Sequence, residues 1–445
     1  MIAPRSMSDV LELLSGKRVT VAGLGRFGGG IAVTRWLCAQ GANVLVTDSD
    51  PAEKLADSVK QLKGLPIEFR LGEHREEDFT SADLIVASPA IPPQNPFIQA
   101  ARAAGKGVTT EIRLFVERCP AKIIGVTGTK GKSTTTAMLG KILSAIGKTW
   151  VGGNIGKSLL ADLDRIQQTD RVVLELSSYM LEHLRELHWS PHVAVVTMIS
   201  QDHLPWHGSL EAYLDAKRNI VRFQQAEDFA VLNEEDAGAA AFGRITAAKT
   251  ILYGTKNRAK FNLRIPGAHN QLNAQGAFTA AAIFGADFGQ AQKALADFVG
   301  LPHRLQLVHE SNDVRYFNDS IATIPEAAVA ALASFPNKKV IQIVGGYGAD
   351  IPIKAMCAAL TERAKAVLCI GATGPEIADF LEQSASQSAA ATYRCGDLAT
   401  AVGIAKHIAA ARDIVLLSPG FKSYDQFVNF EQRGDEFVRL VGGQK

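Results

Sequence analysis

The fold of this chain is decided by the stretch Ile123-Ile124-Gly125-Val126-Thr127-Gly128-Thr129-Lys130-Gly131-Lys132-Ser133-Thr134. Its first five residues form an apolar, β-branched run typical of a buried strand, and residues 135–146 read as a helix. Between the strand and the helix, Gly128 and Gly131 let backbone N–H groups turn toward an anion, while Lys132 adds a positive charge and Ser133 a hydroxyl suited to Mg²⁺. The usual phosphate-binding loop begins with a glycine where this chain has Val126, so this is a shorter version. The stretch predicts a phosphate-binding α/β domain.

Elsewhere the chain alternates short β-branched runs with helical stretches, a pattern typical of parallel sheets covered by helices. A length of 445 residues exceeds what one hydrophobic core usually serves. We therefore predict three α/β domains, at residues 1–109, 110–300 and 301–445. The predicted strands lie at residues 17–25, 42–48, 67–72, 83–89, 121–127, 171–176, 192–199, 338–345, 365–371 and 413–419.

The bulk composition excludes several classes of protein. Hydrophobic residues make up 47% and charged residues 21%, which is ordinary for a globular chain. A net charge of +2 gives no electrostatic basis for binding nucleic acid, and no apolar run reaches the ~20 residues of a membrane span. Residues 1–17 lack the apolar segment of a signal peptide, so a cytoplasmic protein is expected. The five cysteines form no CxxC pair and are expected to be reduced; they are Cys38, Cys119, Cys357, Cys369 and Cys395.

Polar residues stand at the ends of two predicted strands of the central block. Glu175 lies within a run that reads as a buried parallel strand, where a carboxylate needs a partner or a metal ion. The alternative is that Glu175 occupies the exposed end of the strand beside a surface cation. Asp202 and His203 follow the next strand, at the edge of the sheet where α/β proteins bind ligands. A lone histidine there is as often structural as functional.

Lys217 interrupts an apolar helical stripe. In residues 209–224 the apolar positions Leu210, Tyr213, Leu214, Ile220 and Val221 share one helix face, and Lys217 falls in its middle. A lysine on a core face either extends its amine to the surface or belongs to a site. The spacing alone leaves both interpretations open.

Taken together, these residues resemble the Mur ligases of peptidoglycan synthesis. The resemblance extends over nearly the whole chain and rests on the loop at 128–134, residues 152–156, 175–178, 202–203, Lys217, 269–270, Asn273 and 301–304. Residues 318–320 and 425–434 are similar to the branch of the family that adds glutamate to UDP-N-acetylmuramoyl-L-alanine.

The resemblance implies an N-terminal Rossmann-like UDP-binding domain, a central ATPase domain with a mostly parallel sheet, and a C-terminal Rossmann-like domain that binds the amino acid. It implies that ATP, with two Mg²⁺, converts the alanine carboxylate into an acyl phosphate that the amino group of glutamate then attacks. No nucleic acid or membrane partner is implied, and a monomer is expected.

The resemblance also implies which residues of this chain form the binding sites, since each occupies the position of a functional residue of the family. The ATP site would consist of Gly128, Thr129, Lys130, Gly131, Lys132, Ser133, Thr134, Asn270, Asn273, Arg304 and Asp319. The metal ligands would be Ser133, Glu175, His203 and a carbamoylated Lys217. Lys132, His203 and Lys217 would be catalytic. The UDP-linked substrate would contact Gly25, Arg26, Phe27, Gly28, Asn154 and Ser177. The amino acid would contact Thr323, Lys422, Ser423 and Phe430.

The C-terminal part departs from the family around the amino-acid site. Ile321 stands where the family has a lysine, and residues 345–348 lack the lysine that holds a D-glutamate carboxylate, whereas Lys422 is an additional cation. This departure is similar to that of a variant of the family that adds L-glutamate. The resemblance implies addition of L-glutamate, with D-glutamate as the alternative, and the relocated cation supports it because moving a cation changes which stereoisomer fits.

Three other functions remain alternatives at this point. Residues 23–28 followed by Asp48 match a dinucleotide-binding fingerprint, which indicates an NAD-dependent oxidoreductase. A related amide ligase, such as a folate-polyglutamate enzyme, and a non-catalytic binding protein are the other two. The fingerprint is weak alone, and it accounts for neither the loop at 128–134 nor Lys217.

Overall fold

The computed structural model describes residues 14–25, 28–348, 351–383 and 390–442. They form three sheets, and the prediction of a three-domain α/β protein is confirmed. The chain divides into two compact units, Met1–Arg258 with Asn273–Gln290, and Ala259–Leu272 with Ala291–Lys445. The first unit contains the first two sheets and the second unit the third. The boundaries at residues 109/110 and 300/301 stay a prediction. Within the described ranges, no helix has both the length and the apolar character that a bilayer crossing needs.

The first sheet is wholly parallel and has the strand order β3-β2-β1-β4-β5. Its strands are β1 Arg18–Ala22, β2 Asn43–Asp48, β3 Ile67–Leu71, β4 Leu84–Ala87 and β5 Gly107–Thr110. The helices of this part are α1 Gly29–Ala39, α2 Ala56–Gln61, α3 Glu76–Thr80, α4 Pro96–Ala103 and α5 Glu111–Val116. Strand order reverses between β1 and β4, so their carboxyl ends form the crevice in which such a sheet binds ligands.

The second sheet, also wholly parallel, has the order β11-β10-β9-β6-β8-β7. Its strands are β6 Lys122–Thr127, β7 Thr149–Gly153, β8 Arg171–Glu175, β9 Val193–Val196, β10 Phe229–Asn233 and β11 Lys249–Tyr253. The helices are α6 Lys132–Ser144, α7 Ser178–Leu184, α8 Leu204–His207, α9 Leu210–Arg222, α10 Ala237–Ala240 and α11 Ala268–Ala282. Because β6 lies between β8 and β9, the segments after all three strands meet at one edge of the sheet.

The third sheet has the order β12-β13-β17-β14-β15-β16 and is parallel except for the β12–β13 pair. Its strands are β12 Gln306–Ser311, β13 Val314–Asn318, β14 Val340–Val344, β15 Ala364–Ile370, β16 Ala391–Gly396 and β17 Ile414–Leu417. The helices are α12 Phe288–Leu295, α13 Pro325–Ala333, α14 Lys354–Arg363, α15 Gly374–Gln383, α16 Leu398–Ile408 and α17 Phe430–Val441. Here the strand order reverses between β14 and β17.

Each predicted strand is found. Most are shorter than predicted, and the strand predicted at 365–371 lies one residue earlier in the chain. The strands that the sequence did not indicate include the sheet edges β7, β11 and β16, whose residues are mostly exposed or half-buried and so carry a weak apolar signal. The five cysteines are free, as expected. One detail of the predicted stripe on α9 is wrong, because Leu210 is 42% exposed at the start of the helix.

Candidate active site

The phosphate loop has the predicted strand–loop–helix geometry. Gly128 has φ 148° and Gly131 has φ 88°, which are conformations that side chains rarely adopt. A Cβ on Gly128 would lie 2.0 Å from Thr197 Oγ1, and one on Gly131 would lie 2.6 Å from Asn273 Oδ1. Both positions therefore need glycine on two grounds, backbone conformation and space. Helix α6 begins at Lys132, so the positive end of its dipole lies at the loop.

Neighbouring strands support the loop from the side. Thr197, just after β9, places its hydroxyl 3.1 Å from Thr127 O and 2.7 Å from Lys130 O. The Thr129 hydroxyl lies 2.8 Å from the phenol oxygen of Tyr213 on α9. Thr129 N also donates to Met198 O at 2.5 Å, so both side-chain and backbone contacts fix the position of the loop.

Glu175 ends β8 and is only 1% exposed, so the alternative of an exposed strand end is wrong. Its Oε1 accepts a hydrogen bond from Asn154 Nδ2 at 2.9 Å, and its carbonyl accepts one from Asn154 N at 2.8 Å. Its Oε2 is buried and has no hydrogen-bond partner among the described residues. A buried carboxylate oxygen without a donor is costly. This environment fits a cation at Oε2.

Lys217 is buried on α9, with 2% exposure, and its amine does not extend to the surface. Its Nζ donates a hydrogen bond to Gly128 O at 2.8 Å and lies 4.8 Å from the centre of the Tyr213 ring. Burial, and then the positive charge of Lys132, hold the pKa of Lys217 well below its usual range, although Asp202 and Glu175 act in the opposite direction. A lowered pKa makes the neutral, nucleophilic form of an amine more accessible, and this amine lies beside the phosphate loop.

The segment after β9 carries Asp202 and His203. His203 is exposed, has a left-handed backbone with φ 52°, and places Nε2 3.4 Å from Asp202 Oδ2. Its ring lies 5.0 Å from that of Tyr179, centre to centre. The described residues contain no group of three His, Cys, Asp or Glu side chains placed to hold a metal ion. Any Mg²⁺ here would therefore rely on substrate oxygens, water and hydroxyl groups for its other ligands, as Mg²⁺ commonly does.

The glycine turn of the first sheet lies at the crevice between β1 and β4. Gly25 N donates to Asp48 Oδ2 at 2.9 Å, and Asp50 N donates to the other oxygen of Asp48, also at 2.9 Å. Gly28, with φ 89°, immediately precedes α1. Arg26 and Phe27 lie outside the described residues. Because both oxygens of Asp48 are bonded to the backbone, this carboxylate is poorly placed to bind the ribose that the dinucleotide fingerprint requires.

The remaining carried-over residues of the first unit take local structural roles. The Ser177 hydroxyl accepts from Met180 N at 3.2 Å and caps α7. Asn273 Oδ1 lies 3.3 Å from the hydroxyl of Thr135, close to Gly131. Of the predicted ATP residues outside the loop itself, Asn273 is thus placed directly beside it.

In the second unit, Asp319 lies after β13 and is buried. It accepts hydrogen bonds from Ser418 Oγ at 2.7 Å and Leu305 N at 3.1 Å. Burial raises its pKa to about 7, against the effect of those two bonds and the charge of Arg304, which is exposed. Asn270 Nδ2 donates to the carbonyl of Pro266 at 2.6 Å.

The candidate amino-acid residues Lys422 and Ser423 follow β17, at the point where strand order reverses in the third sheet. Lys422 is exposed, whereas Ser423 is buried. Tyr347, which follows β14, pairs with Lys422 in an antiparallel bridge and donates its N–H to Lys422 O at 2.8 Å. The cation at 422 therefore stands beside the loop at 345–348 that has no lysine. Phe430 begins α17 and Thr323 is half-buried.

Comparison with known proteins decides the family. Three family descriptions match successive parts of the chain: the Mur ligase MurD-like N-terminal domain at residues 17–110, the Mur ligase middle domain at 126–281, and the Mur ligase glutamate ligase domain at 303–421. The UDP-N-acetylmuramoylalanine--D-glutamate ligase of Roseiflexus sp. (strain RS-1) is 39% identical, over 96% of this chain and 99% of that protein. This chain belongs to the Mur ligase family.

A second relative of the same name, from Acetivibrio thermocellus, is 37% identical over 98% of both chains. Among solved structures, the UDP-N-acetylmuramate-alanine ligase MurC of Thermotoga maritima has a TM-score of 0.61 over 96% of this chain and 99% of that chain. At 22% identity that similarity shows the fold alone. The chain is thus an ATP-dependent, amide-forming Mur ligase of peptidoglycan synthesis, and the NAD-dependent oxidoreductase alternative is wrong.

Sequence reasoning missed several side chains of this Mur ligase site. His207 Nε2 lies 2.9 Å from Ser178 Oγ, and its ring stacks on Tyr179 at 5.6 Å. Burial, followed by the charges of His203 and Lys217, lowers the pKa of His207 to about 4, so it is neutral near pH 7. Its spacing of four residues from His203 was the available signal, since such a pair lies on neighbouring turns of a helix.

Proposed function

We propose that this Mur ligase joins D-glutamate to UDP-N-acetylmuramoyl-L-alanine with consumption of ATP. The observation that carries the proposal is that the similar proteins of Roseiflexus and Acetivibrio thermocellus, at 39% and 37% identity, both bear the name of the D-glutamate ligase. The predicted L-glutamate specificity rests on the resemblance to a variant that adds L-glutamate and on the altered cations around Lys422, whereas both relatives carry the D-glutamate name.

The reaction needs an activated carboxylate. The alanine carboxylate of the UDP-linked substrate attacks the γ-phosphorus of ATP, and ADP leaves, which gives an acyl phosphate. The amino group of glutamate, having lost a proton, attacks the acyl carbon. The resulting tetrahedral intermediate expels inorganic phosphate and becomes the amide. Phosphate is a good leaving group, whereas an unactivated carboxylate would have to expel an oxide ion, which is a very poor one.

The phosphate loop supplies the charge that this transfer requires. The N-terminus of α6 and the ammonium of Lys132 both lie at the loop, where they would attract a polyphosphate. Lys132 Nζ lies 3.0 Å from Thr129 O, which keeps its stem folded over the loop. Asn270, Arg304 and Asp319 complete the proposed nucleotide contacts.

Mg²⁺ is the proposed cofactor. Ser133, Glu175 and His203 would hold it, and the unpartnered Oε2 of Glu175 is the feature of this structure that fits a cation. When bound, Mg²⁺ neutralises charge on phosphate and carboxylate oxygens. The number of two ions stays a prediction from the family resemblance.

Lys217 is the proposed site of carbamoylation. Its amine is buried and has a lowered pKa, and in the neutral form it can attack the carbon of CO₂ and release one proton, which converts the side chain into an anionic carbamate. The position of its Nζ beside Gly128 O would direct that anion toward the loop. Replacement of Lys217 by alanine should then leave an enzyme that short carboxylic acids partly reactivate, and an unresponsive variant would argue for an amine role instead.

The remaining site assignments complete the proposal. Gly25, Gly28, Asn154 and Ser177 would contact the UDP-linked substrate. Thr323, Lys422, Ser423 and Phe430 would contact glutamate, with Lys422 as the exposed counter-charge to a carboxylate. Cytoplasmic location and a monomeric state stay predictions.

The enantiomers of glutamate provide the decisive assay. The purified protein is incubated with UDP-N-acetylmuramoyl-L-alanine, ATP and Mg²⁺, and with D- or L-glutamate in separate reactions. Phosphate release and the product mass are followed, with a reaction lacking glutamate as the control. We expect product from D-glutamate, and product from L-glutamate alone would restore the original prediction.

A further inference from the structure

Arg433 on α17 is a buried cation with an unusual set of partners. It is 1% exposed and is the largest of the fully buried side chains among the described residues. Its Nε donates to Ser320 Oγ at 3.0 Å, and its Nη2 donates to Ser320 O at 2.9 Å and Phe421 O at 3.0 Å. Its Nη1 donates to Lys422 O at 3.3 Å. All four acceptors are neutral oxygens.

These bonds join three segments that are distant in the sequence. Ser320 follows β13, Phe421 and Lys422 follow β17, and Arg433 lies in the first turns of α17. The Ser320 hydroxyl also donates to Phe430 O at 2.8 Å, which ties the start of α17 to the same point. The space around the guanidinium is tight, since a Cβ on Gly346 would lie 2.2 Å from Lys422 O and 3.2 Å from Arg433 Nη1.

Stability alone does not explain a cation in this position. Removing a guanidinium from water is costly, and an apolar side chain of similar volume commonly serves a core as well or better. Burial lowers the pKa of Arg433 to about 10, so the side chain still carries its charge at neutral pH. Unlike an apolar side chain, the planar guanidinium group can donate hydrogen bonds to several carbonyl groups and so fix their relative positions.

We infer that Arg433 is a positioning residue for the loop at 420–423, and that it presents Lys422 and Ser423 to the amino-acid substrate. Phe421 and Ser423 point inward and are buried, whereas Lys422 between them is exposed. Arg433 binds the carbonyls of Phe421 and Lys422 from inside, so it sets the direction in which the ammonium of Lys422 leaves the loop. The part of this inference that concerns glutamate rests on the proposed function.

Two variants and a matched control test the inference. Arg433→Met keeps an unbranched apolar stem but is shorter and has no donors, and Arg433→Lys keeps the charge but has no planar fork. Phe437→Leu is the control, because Phe437 is fully buried on the same helix and makes no hydrogen bond to the loop. All three are checked for folding by circular dichroism and thermal unfolding.

The first measurement is independent of activity. Trypsin cleaves after an exposed lysine only when the surrounding backbone can open, and the carbonyl of Lys422 is held by both Tyr347 N and Arg433 Nη1. Limited trypsin digestion with mass spectrometry should show cleavage after Lys422 in Arg433→Met, little in Arg433→Lys, and none in wild type or Phe437→Leu. Equal resistance of wild type and a folded Arg433→Met would overturn the inference.

The second measurement is kinetic. In Arg433→Met the KM for glutamate should rise about tenfold or more, as for a lost charge-assisted bond, while the KM for ATP changes less than about twofold. Equal rises in both KM values, or the same rise in Phe437→Leu, would indicate general destabilisation and overturn the inference. Should the wild-type protein use neither enantiomer of glutamate, the proposed function fails, and the trypsin digestion still decides whether Arg433 positions the loop.

Discussion

Replacement of Lys217 by methionine should separate stability from catalysis. Methionine has nearly the same length and is apolar, so it fills the space of the buried lysine. The change removes one hydrogen bond to Gly128 O, which is worth about 0.5–1.5 kcal/mol. It also removes the cost of burying an amine, about 1–3 kcal/mol. These effects oppose each other, and the free energy of unfolding should stay within about 2 kcal/mol of the wild-type value.

Turnover should respond very differently. If Lys217 acts on the transferring group as amine or carbamate, its loss should lower kcat at least about 100-fold, which corresponds to about 2.7 kcal/mol in the transition state. The assay combines urea denaturation with the rate of phosphate release at saturating ATP and glutamate. Ile220→Met is the matched control, because Ile220 is a buried apolar residue one turn along the same helix. It should cost less than about 1.5 kcal/mol and leave turnover intact.

Two results would refute this reasoning. Near-normal turnover in Lys217→Met would remove Lys217 from the chemistry. A loss of more than about 3 kcal/mol of unfolding free energy, with turnover reduced in proportion to the unfolded fraction, would make Lys217 a structural residue.

Three further predictions concern the same site. Glu175→Gln should retain or slightly gain stability, because it removes a buried negative charge. The Mg²⁺ concentration for half-maximal activity should rise about tenfold, because the variant loses the carboxylate oxygen Oε2. An unchanged Mg²⁺ titration would contradict the proposed cation at Oε2. Gly131→Ala should lower the free energy of unfolding by about 1–3 kcal/mol, since φ is 88° and the new Cβ would press on Asn273. ATP with Mg²⁺ should no longer raise the unfolding temperature of this variant. A rise as large as that of the wild type would argue against this loop as the nucleotide site. Asp319 has a raised pKa in the folded state, so its contribution to stability is present at low pH and is lost as pH rises toward and through about 7. Wild type should therefore lose up to about 3 kcal/mol between pH 5 and 8 from this group, and Asp319→Asn should lack that part of the decline in urea denaturation at the two pH values; equal declines would contradict the assignment.

The sequence by itself determined the local features of this protein. The predicted strands were visible because buried parallel strands are continuous β-branched runs. The loop after β6 was visible because glycine readily takes its backbone angles. Lys217 stood out because helical periodicity alone shows that it shares a helix side with apolar residues, whatever that side packs against. The family was also accessible, since its motifs are short and continuous along the chain.

Only the tertiary structure decided which distant residues meet. Strand order places Thr197 against the phosphate loop and Asn154 against Glu175, and no local pattern predicts strand order. For the same reason the contacts of Lys422 with Tyr347 and Arg433 were invisible, because they join segments about 75 and 11 residues away in the sequence. Periodicity reports the direction in which a side chain points, whereas the partner that it reaches depends on the packing of separate elements.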